Sequence, residues 1–520
     1  MNWRFVINQL GLLSLLLSGA MVVVGLAGLG FEWYSAEHID FDATFALLGT
    51  VGASVLVGGF LWFRTRGAGK HVGRREALLL VGVSWLIGAA VAGLPYFLWA
   101  QWHCGPAEQH PFLSPVNCYF EAMSGLTTTG ATVLGGAASI ESLPQSLLLW
   151  RAFTQWLGGL GIVVLFVAVL PTLGVGGRRL FRVEAPGPAP EGLRPHIRET
   201  ATALWLIYFI LTAVEIVALK LAGMSFFDSL CHTFTTLATG GFSPKDASIG
   251  HYASPAIHTI VIIFMVLAGV NFGLYYQLSR KRFRKVFQDT ELRVYLGLLL
   301  LGTAIITLSL INSPITLTKD LTVLEPSVAS AIHHGLFTAV SIQTTTGFVT
   351  SDFNLWPFAA QAVLVLAMFI GGSAGSTAGG LKVIRIWIAL KVMLAEIERV
   401  FRPQVVRPLR LGNSVVDDEL KLATVAYILG LVVLFIFGAG AVMLLEQWTG
   451  SNTCDFRTAA ASSIACLFNI GPGLGHVGAI ENYEWLSNGS KIVLTLLMAL
   501  GRLEVFAIIV LVIPRFWRAD

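Results

Sequence analysis

The sequence is short of charge. Only 12% of its 520 residues are Asp, Glu, Lys or Arg, while 55% are hydrophobic. Soluble domains carry roughly a quarter of their residues charged, so a water-soluble globular protein is excluded. Several charge-free stretches, residues 5–30 among them, exceed the roughly 20 residues that span a bilayer. The chain reads as an integral membrane protein. Its first apolar stretch reads as a retained anchor, because a cleavable signal has a shorter apolar core and a small-residue cleavage site.

Cysteine is scarce too. Cys104, Cys118, Cys231, Cys454 and Cys466 have neither the pairing density of a disulfide scaffold nor the spacing of a metal site. Cys104 and Cys454 both fall in loops placed outside, so one disulfide between them is an open option. Nucleotide motifs are missing as well. Gly473-Leu474-Gly475-His476-Val477-Gly478 fits G-x-G-x-x-G, but no strand precedes it and no βαβ unit contains it, so no nucleotide is expected on this chain. His232, His333 and His334 have no second cluster at ligand spacing. With no converging carboxylates or histidines, no enzyme is expected.

A net charge of +4 is too slight to imply a nucleic-acid partner, and the bases gather in loops instead. Arg64, Arg66, Lys70, Arg74 and Arg75 form one cluster; Arg178, Arg179 and Arg182 a second; Arg280, Lys281, Arg282, Arg284 and Lys285 a third; Lys391, Arg399, Arg402, Arg407 and Arg410 a fourth. The positive-inside rule places these loops, and both termini, in the cytoplasm.

What is present is a repeat. Leu126-Thr127-Thr128-Thr129-Gly130-Ala131-Thr132, Leu237-Ala238-Thr239-Gly240-Gly241-Phe242, Gln343-Thr344-Thr345-Thr346-Gly347-Phe348 and Phe468-Asn469-Ile470-Gly471-Pro472-Gly473 recur at about 110, 107 and 124 residues when aligned on Gly130, Gly240, Gly347 and Gly471. Each follows a helix-like segment too short to cross a bilayer and precedes a long apolar one. The expected fold is an all-α integral membrane protein of about ten spanning helices. An N-terminal hairpin and basic linker (1–75) would precede four helix–pore loop–helix units at 76–198, 199–291, 292–418 and 419–520. The short segments are expected at 116–128, 226–236, 326–343 and 456–467, and the stretch 185–190, with three prolines, excludes a regular helix in the first linker.

These turns suit a dehydrated monovalent cation, which needs oxygen ligands rather than a ring of carboxylates. Glycine permits backbone angles that turn carbonyls to a common axis, and each short helix would aim its partly negative C-terminus toward the membrane centre. The candidate filter residues are Thr128, Thr129 and Gly130; Ala238, Thr239 and Gly240; Thr345, Thr346 and Gly347; and Asn469, Ile470 and Gly471. The fourth turn lacks the Thr-Thr pair. Glu121, in the first short helix, is expected to be buried and paired, since an unpaired carboxylate there would protonate.

A second glycine-rich stretch lies in a charge-free run, residues 354–381. Gly371-Gly372-Ser373-Ala374-Gly375-Ser376-Thr377-Ala378-Gly379-Gly380 is half glycine, at roughly 1 kcal/mol each against Ala in a helix interior, so the helix should break. A broken backbone at membrane depth must be buried in protein or line a cavity. The corresponding places in the other copies, Gly158-Gly159, Ala268-Gly269 and Leu500-Gly501, suit close packing through small residues. Only the third copy is expected to be strongly broken. Arg502 is a base at membrane depth that needs a partner; it is expected below the fourth turn, in contact with residues 371–380. Lys382 and Arg385 read best as interface anchors.

With the first turn and its helix, Phe120 to Thr132, the three later turns and residues 371–380, the chain resembles the Trk/Ktr/HKT superfamily of K⁺ transporters, and closely its bacterial TrkH branch, over essentially its whole length. The resemblance implies K⁺ as the transported ion at the filter residues, a gated pore with residues 371–380 and Arg502 as its gate, and a location in the bacterial cytoplasmic membrane. It also implies a homodimer and a cytoplasmic, NAD- or ATP-responsive nucleotide-binding ring of the TrkA type. Within the superfamily, glycine at all four filter positions goes with K⁺ preference and serine in the first with Na⁺. A coupled H⁺ or Na⁺ symporter is the alternative within transport, disfavoured here by the fourfold repeat in one orientation with a single strongly broken helix.

Overall fold

In the computed structural model the described residues are 1–35, 40–67, 73–105, 109–136, 138–169, 197–404, 409–411, 414–450 and 453–518. The proline-rich linker, the Arg178, Arg179 and Arg182 cluster, Lys70 and Arg407 lie outside them. Two helices, Trp3–Ser35 and Phe41–Arg64, form the N-terminal hairpin. Gly11 and Gly58 let its legs cross closely, since a Cβ on Gly11 would lie 2.7 Å from the Gly58 carbonyl oxygen. The Asp40 carboxylate caps the second leg by accepting from Ala43 N and also accepts from Trp99 Nε1 at 3.1 Å, fastening the hairpin to the first copy.

Each copy then repeats one pattern. The outgoing helices are Arg74–His103, Ile197–Leu221, Thr290–Leu310 and Asp418–Trp448. The short helices are Pro115–Leu126, Phe226–Leu237, Val328–Gln343 and Phe456–Leu467, within two residues of the expected bounds. Proline opens the first, and Ser225, Ser327 and Asp455 cap the other three through side-chain oxygens, satisfying donors a helix start leaves orphaned.

The returning legs are less regular. The first, Gln145–Val169, is one helix. The second breaks into Pro255–Ala268 and Phe272–Ser279 with a bend of 93°. The third is Phe358–Phe369, an irregular stretch and Val383–Phe401, and the fourth is Asn488–Arg502 followed by Phe506–Val512. Three returning legs are therefore broken, not one: Asn271 caps a new helix in the second, and Glu504 and Val505 take positive φ in the fourth.

Six described helices are long and apolar enough to cross a membrane, seven if the bent pair is one span. Breaks keep the second, third and fourth returning legs from counting as single spans on that measure. Apolar side chains such as Leu300, Leu308, Phe437 and Leu444 stand exposed on the outer helices, as lipid contact requires. Two two-stranded ribbons, Ile315–Thr316 with Val323–Leu324 and Arg410–Leu411 with Ser414–Val415, are the sheets among the described residues.

The copies close into a ring. Ile140 N donates to Asp246 Oδ1 between copies 1 and 2; Gly250 N to the Val349 carbonyl between 2 and 3; Gly475 N to Asn354 Oδ1 between 3 and 4; and Lys491 Nζ to Asn117 Oδ1 between 4 and 1. Cys104 and Cys454 remain thiols, so the optional bridge is not formed.

Candidate functional site

The four short helices end alike. Thr129 N donates to the Ser124 carbonyl at 2.9 Å, Gly240 N to Thr235 at 2.8 Å, Thr346 N to Ser341 at 2.9 Å and Ile470 N to Ala465 at 2.8 Å. This closure over a left-handed residue is the common way to end a helix, but glycine usually supplies that residue. Here Thr128, Thr239, Thr345 and Asn469 do, with φ of +51°, +52°, +57° and +56°. A residue bearing a Cβ in that conformation costs roughly 1–2 kcal/mol, and the same strain recurs in all four copies. Two residues on, Gly130, Gly241, Gly347 and Gly471 are left-handed again, with φ of +82°, +76°, +79° and +95°. Alternation of mirror-image conformations turns successive carbonyls to one side of a strand.

The register of the second copy is therefore corrected by one residue. Gly241, not Gly240, matches Gly130, Gly347 and Gly471, because both the left-handed φ and the helix-closing bond fall one position later than the Thr-Gly pair suggested. A Cβ on Gly130 would lie within 3.0 Å of the Gly240 carbonyl oxygen, one on Gly241 of Thr346, one on Gly347 of Ile470, and one on Gly471 of Thr129. Each glycine abuts the carbonyl just before the next copy's glycine, and the fourth returns to the first. The contacts form a closed fourfold cycle. A cavity lined by all four glycines, with Arg151, Lys245, Asp246 and Glu481, opens onto it.

Glu121 is buried and paired, with Arg151 as its partner. Arg151 Nε lies 2.6 Å from Glu121 Oε1, and the carboxylate also accepts from Thr132 Oγ1 and Val133 N, both at 2.9 Å. Arg151 Nη1 donates to the Ser243 carbonyl at 3.0 Å, and its guanidinium lies 3.6 Å from the centre of the Phe242 ring. One buried ion pair thus ties the strands leaving turns 1 and 2 to the first short and returning helices. Sequence reasoning passed over Arg151, although an arginine in an apolar returning leg was the signal that could have found it.

Beneath the turns, residues 371–380 form an irregular loop contacting three copies. Thr377 Oγ1 donates to the Leu237 carbonyl at 2.8 Å, Ser373 N donates to Gly269 at 2.9 Å, and Gly379 N donates to Thr345 Oγ1 at 2.7 Å. A Cβ on Gly379 would lie 2.7 Å from the Phe468 carbonyl of the fourth copy. The loop has an anchor the sequence did not suggest: Glu291 Oε1 accepts from Ala374 N at 2.7 Å and from Ile384 N at 3.3 Å. In the short pairs, Gly158 and Gly501 pass beneath Leu126 and Leu467, with no room for a Cβ.

Arg502 is buried, and its guanidinium donates to the Thr377 carbonyl at 2.8 Å and the Gly158 carbonyl at 3.1 Å. Among the described residues no carboxylate pairs with it. Glu504 pairs instead with Arg385, whose guanidinium also sits 4.1 Å from the centre of the Tyr427 ring. Arg385 is thus a buried ion-pair partner, not an interface anchor. Lys382 Nζ donates to the Ala378 carbonyl and is part-buried.

His333 Nε2 lies 2.7 Å from His258 Nδ1, while His334 meets Thr350 and His232 meets Ser243. Among the described residues none of these histidines belongs to a group of three ligand atoms close enough to hold a metal.

These features define a multi-pass membrane protein built for transport rather than for catalysis. The comparisons place it further. Residues 46–519 match the family model described as "TrkH: Cation transport protein", and the chain belongs to that family. It is similar to the Trk system potassium uptake protein TrkH of Halomonas elongata, 40% identical over 523 residues and the full length of both chains. The protein of the same description from Escherichia coli K12 is 38% identical over 520 residues, again covering both chains. Among solved structures, the crystal structure of the potassium transporter TrkH from Vibrio parahaemolyticus superposes with a TM-score of 0.84 at 33% identity, covering 100% of each chain.

Proposed function

We propose that this chain carries K⁺ into the cell across the bacterial inner membrane through a pore whose filter is the ring of four turns. The observation that carries this reading is the closed cycle of glycine-against-carbonyl contacts, which gathers backbone oxygens from all four copies and no carboxylate. Backbone carbonyls replace the hydration shell of a monovalent cation, and glycine is the residue that lets them approach so closely.

The gate in this reading is the loop 371–380 with Arg502. A cation passing within about 8 Å of the guanidinium would meet a barrier of about 2 kcal/mol at an effective dielectric near 20. Withdrawal of the loop from Leu237, Thr345 and Arg502 would open the path. A dimer of such pores and a cytoplasmic, nucleotide-binding TrkA-type ring acting on the exposed basic segment 280–285 complete the reading; the relatives' naming as Trk system proteins supports association with other components of such a system, no more.

The test is uptake of radioactive Rb⁺ and Na⁺ into proteoliposomes, with and without a pH gradient, beside Gly130→Ser. Rb⁺ uptake that follows its own gradient is expected; in the variant, whose Cβ meets the Gly240 carbonyl, uptake should fall steeply and the flux that remains should lose its preference over Na⁺. A coupled H⁺ or Na⁺ symporter is the second reading. The observation favouring it is that three of the four returning legs are broken, since alternating-access transporters typically build their ion sites from discontinuous helices. Uptake that needs a second ion's gradient would establish it and sink the gated pore.

A further inference from the structure

The second copy departs from the others at one position. Just before the ring glycine the other copies carry Thr129, Thr346 and Ile470, whereas the second carries Gly240. Its backbone does not call for glycine there, because Gly241 takes the left-handed φ and Gly240 does not. The space a side chain would fill is occupied by Gln155, from the returning helix of copy 1. A Cβ on Gly240 would lie within 3.0 Å of all three Gln155 amide atoms.

Gln155 is wholly buried. Its Nε2 donates to the Gly240 carbonyl at 2.7 Å and its Oε1 accepts from Phe242 N at 3.0 Å, so one amide grips the strand on both sides of Gly241. Among the described residues, the equivalent carbonyls of Thr129, Thr346 and Ile470 accept no hydrogen bond from the protein. Three ring oxygens are free and the fourth is already held.

We infer that Gln155 is a positioning residue that sets ion preference by tethering the Gly240 carbonyl. A smaller cation is well coordinated only if the ring contracts around it, and an oxygen tied to a buried amide on the neighbouring copy cannot follow. Freeing it should admit Na⁺. The inference rests on the ring being the filter, as proposed above.

The test uses the full chain in proteoliposomes and reads the ratio of Rb⁺ to Na⁺ uptake. Gln155→Met keeps the volume and removes both hydrogen bonds. It should lower the ratio about tenfold, the scale of one buried hydrogen bond, with Rb⁺ uptake surviving. Gly240→Ala alone should abolish uptake, and Gln155→Ala with Gly240→Ala should restore Rb⁺ uptake at a low ratio. If Gln155→Met does not fold, the comparison of Gly240→Ala with the double variant decides. A ratio within about twofold of the parent in Gln155→Met, or a Gly240→Ala defect that the second change does not relieve, would overturn the inference. Gly130→Ser separates the two ideas: if it too leaves the ratio unchanged, the filter reading itself fails. If it alters the ratio while the Gln155 variants do not, only the tether fails.

Discussion

The ring of turns and the loop beneath it are built on opposite plans. In the ring, four separate segments converge on the same helix-closing bond, the same left-handed pair and the same glycine-to-carbonyl contact. The loop exists once, in the third copy, and holds its place by single bonds to neighbours that do not repeat: Leu237, Gly269, Thr345 and Arg502. On the proposed reading the ring surrounds an ion and must draw alike from every side, whereas the loop moves and needs only one place to do so. Repetition would then mark what is to stay still.

If that contrast holds, the ring should break completely at one atom. Gly347→Ala places a Cβ against the Ile470 carbonyl at a φ of +79° and is expected to cut Rb⁺ uptake at least about a hundredfold, from strain and overpacking of a few kcal/mol. Gly430→Ala, whose Cβ would meet nothing within 4 Å, should leave uptake unchanged. Equal effects from the two variants would dissolve the ring argument.

The support behind the ring should fail next. Glu121→Gln leaves the Arg151 charge buried without its carboxylate, which costs about 3–5 kcal/mol, and the melting temperature of the detergent-solubilised protein should fall accordingly. Glu121→Gln with Arg151→Met should recover part of the loss. A double variant no more stable than the single one would show that the pair is not the connection.

The ring was more legible in the sequence than the parts that hold it. The spacing of the glycines after short helices located four turns because a helix end, a left-handed residue and a close approach impose a short local pattern. It misread the second turn by one, since Gly240 and Gly241 are both glycine for different reasons: one yields to Gln155, the other to Thr346. Arg151, Gln155 and Glu291 stayed unread because their partners lie 30, 85 and 83 residues away, and no periodicity links such distances. The breaks at Asn271 and Val505 were missed because neither stands in a glycine-rich run. Pairing over such distances is a property of the folded chain, not of a local stretch.

The loop should respond to smaller changes, in the opposite direction. Arg502→Ala removes both the positive charge and the bond to the Thr377 carbonyl, and is expected to raise resting Rb⁺ uptake about tenfold, less than the full barrier because the loop still occupies the path. An unchanged resting flux would leave Arg502 a packing residue and the loop without its closing contact.

The mildest test concerns Glu291, which holds the loop at Ala374 and the start of the following helix at Ile384 through one oxygen. Glu291→Gln keeps an acceptor of the same shape and removes the charge, so the two bonds weaken rather than vanish. Loss of charge assistance of about 0.6 kcal/mol should raise resting uptake about threefold, with the Rb⁺ to Na⁺ ratio unaffected because the ring glycines are untouched. That pairing of outcomes is what the contrast demands. A variant that loosened the loop and also changed ion preference would show that ring and loop are one mechanical unit, and their separate architectures would no longer imply separate tasks.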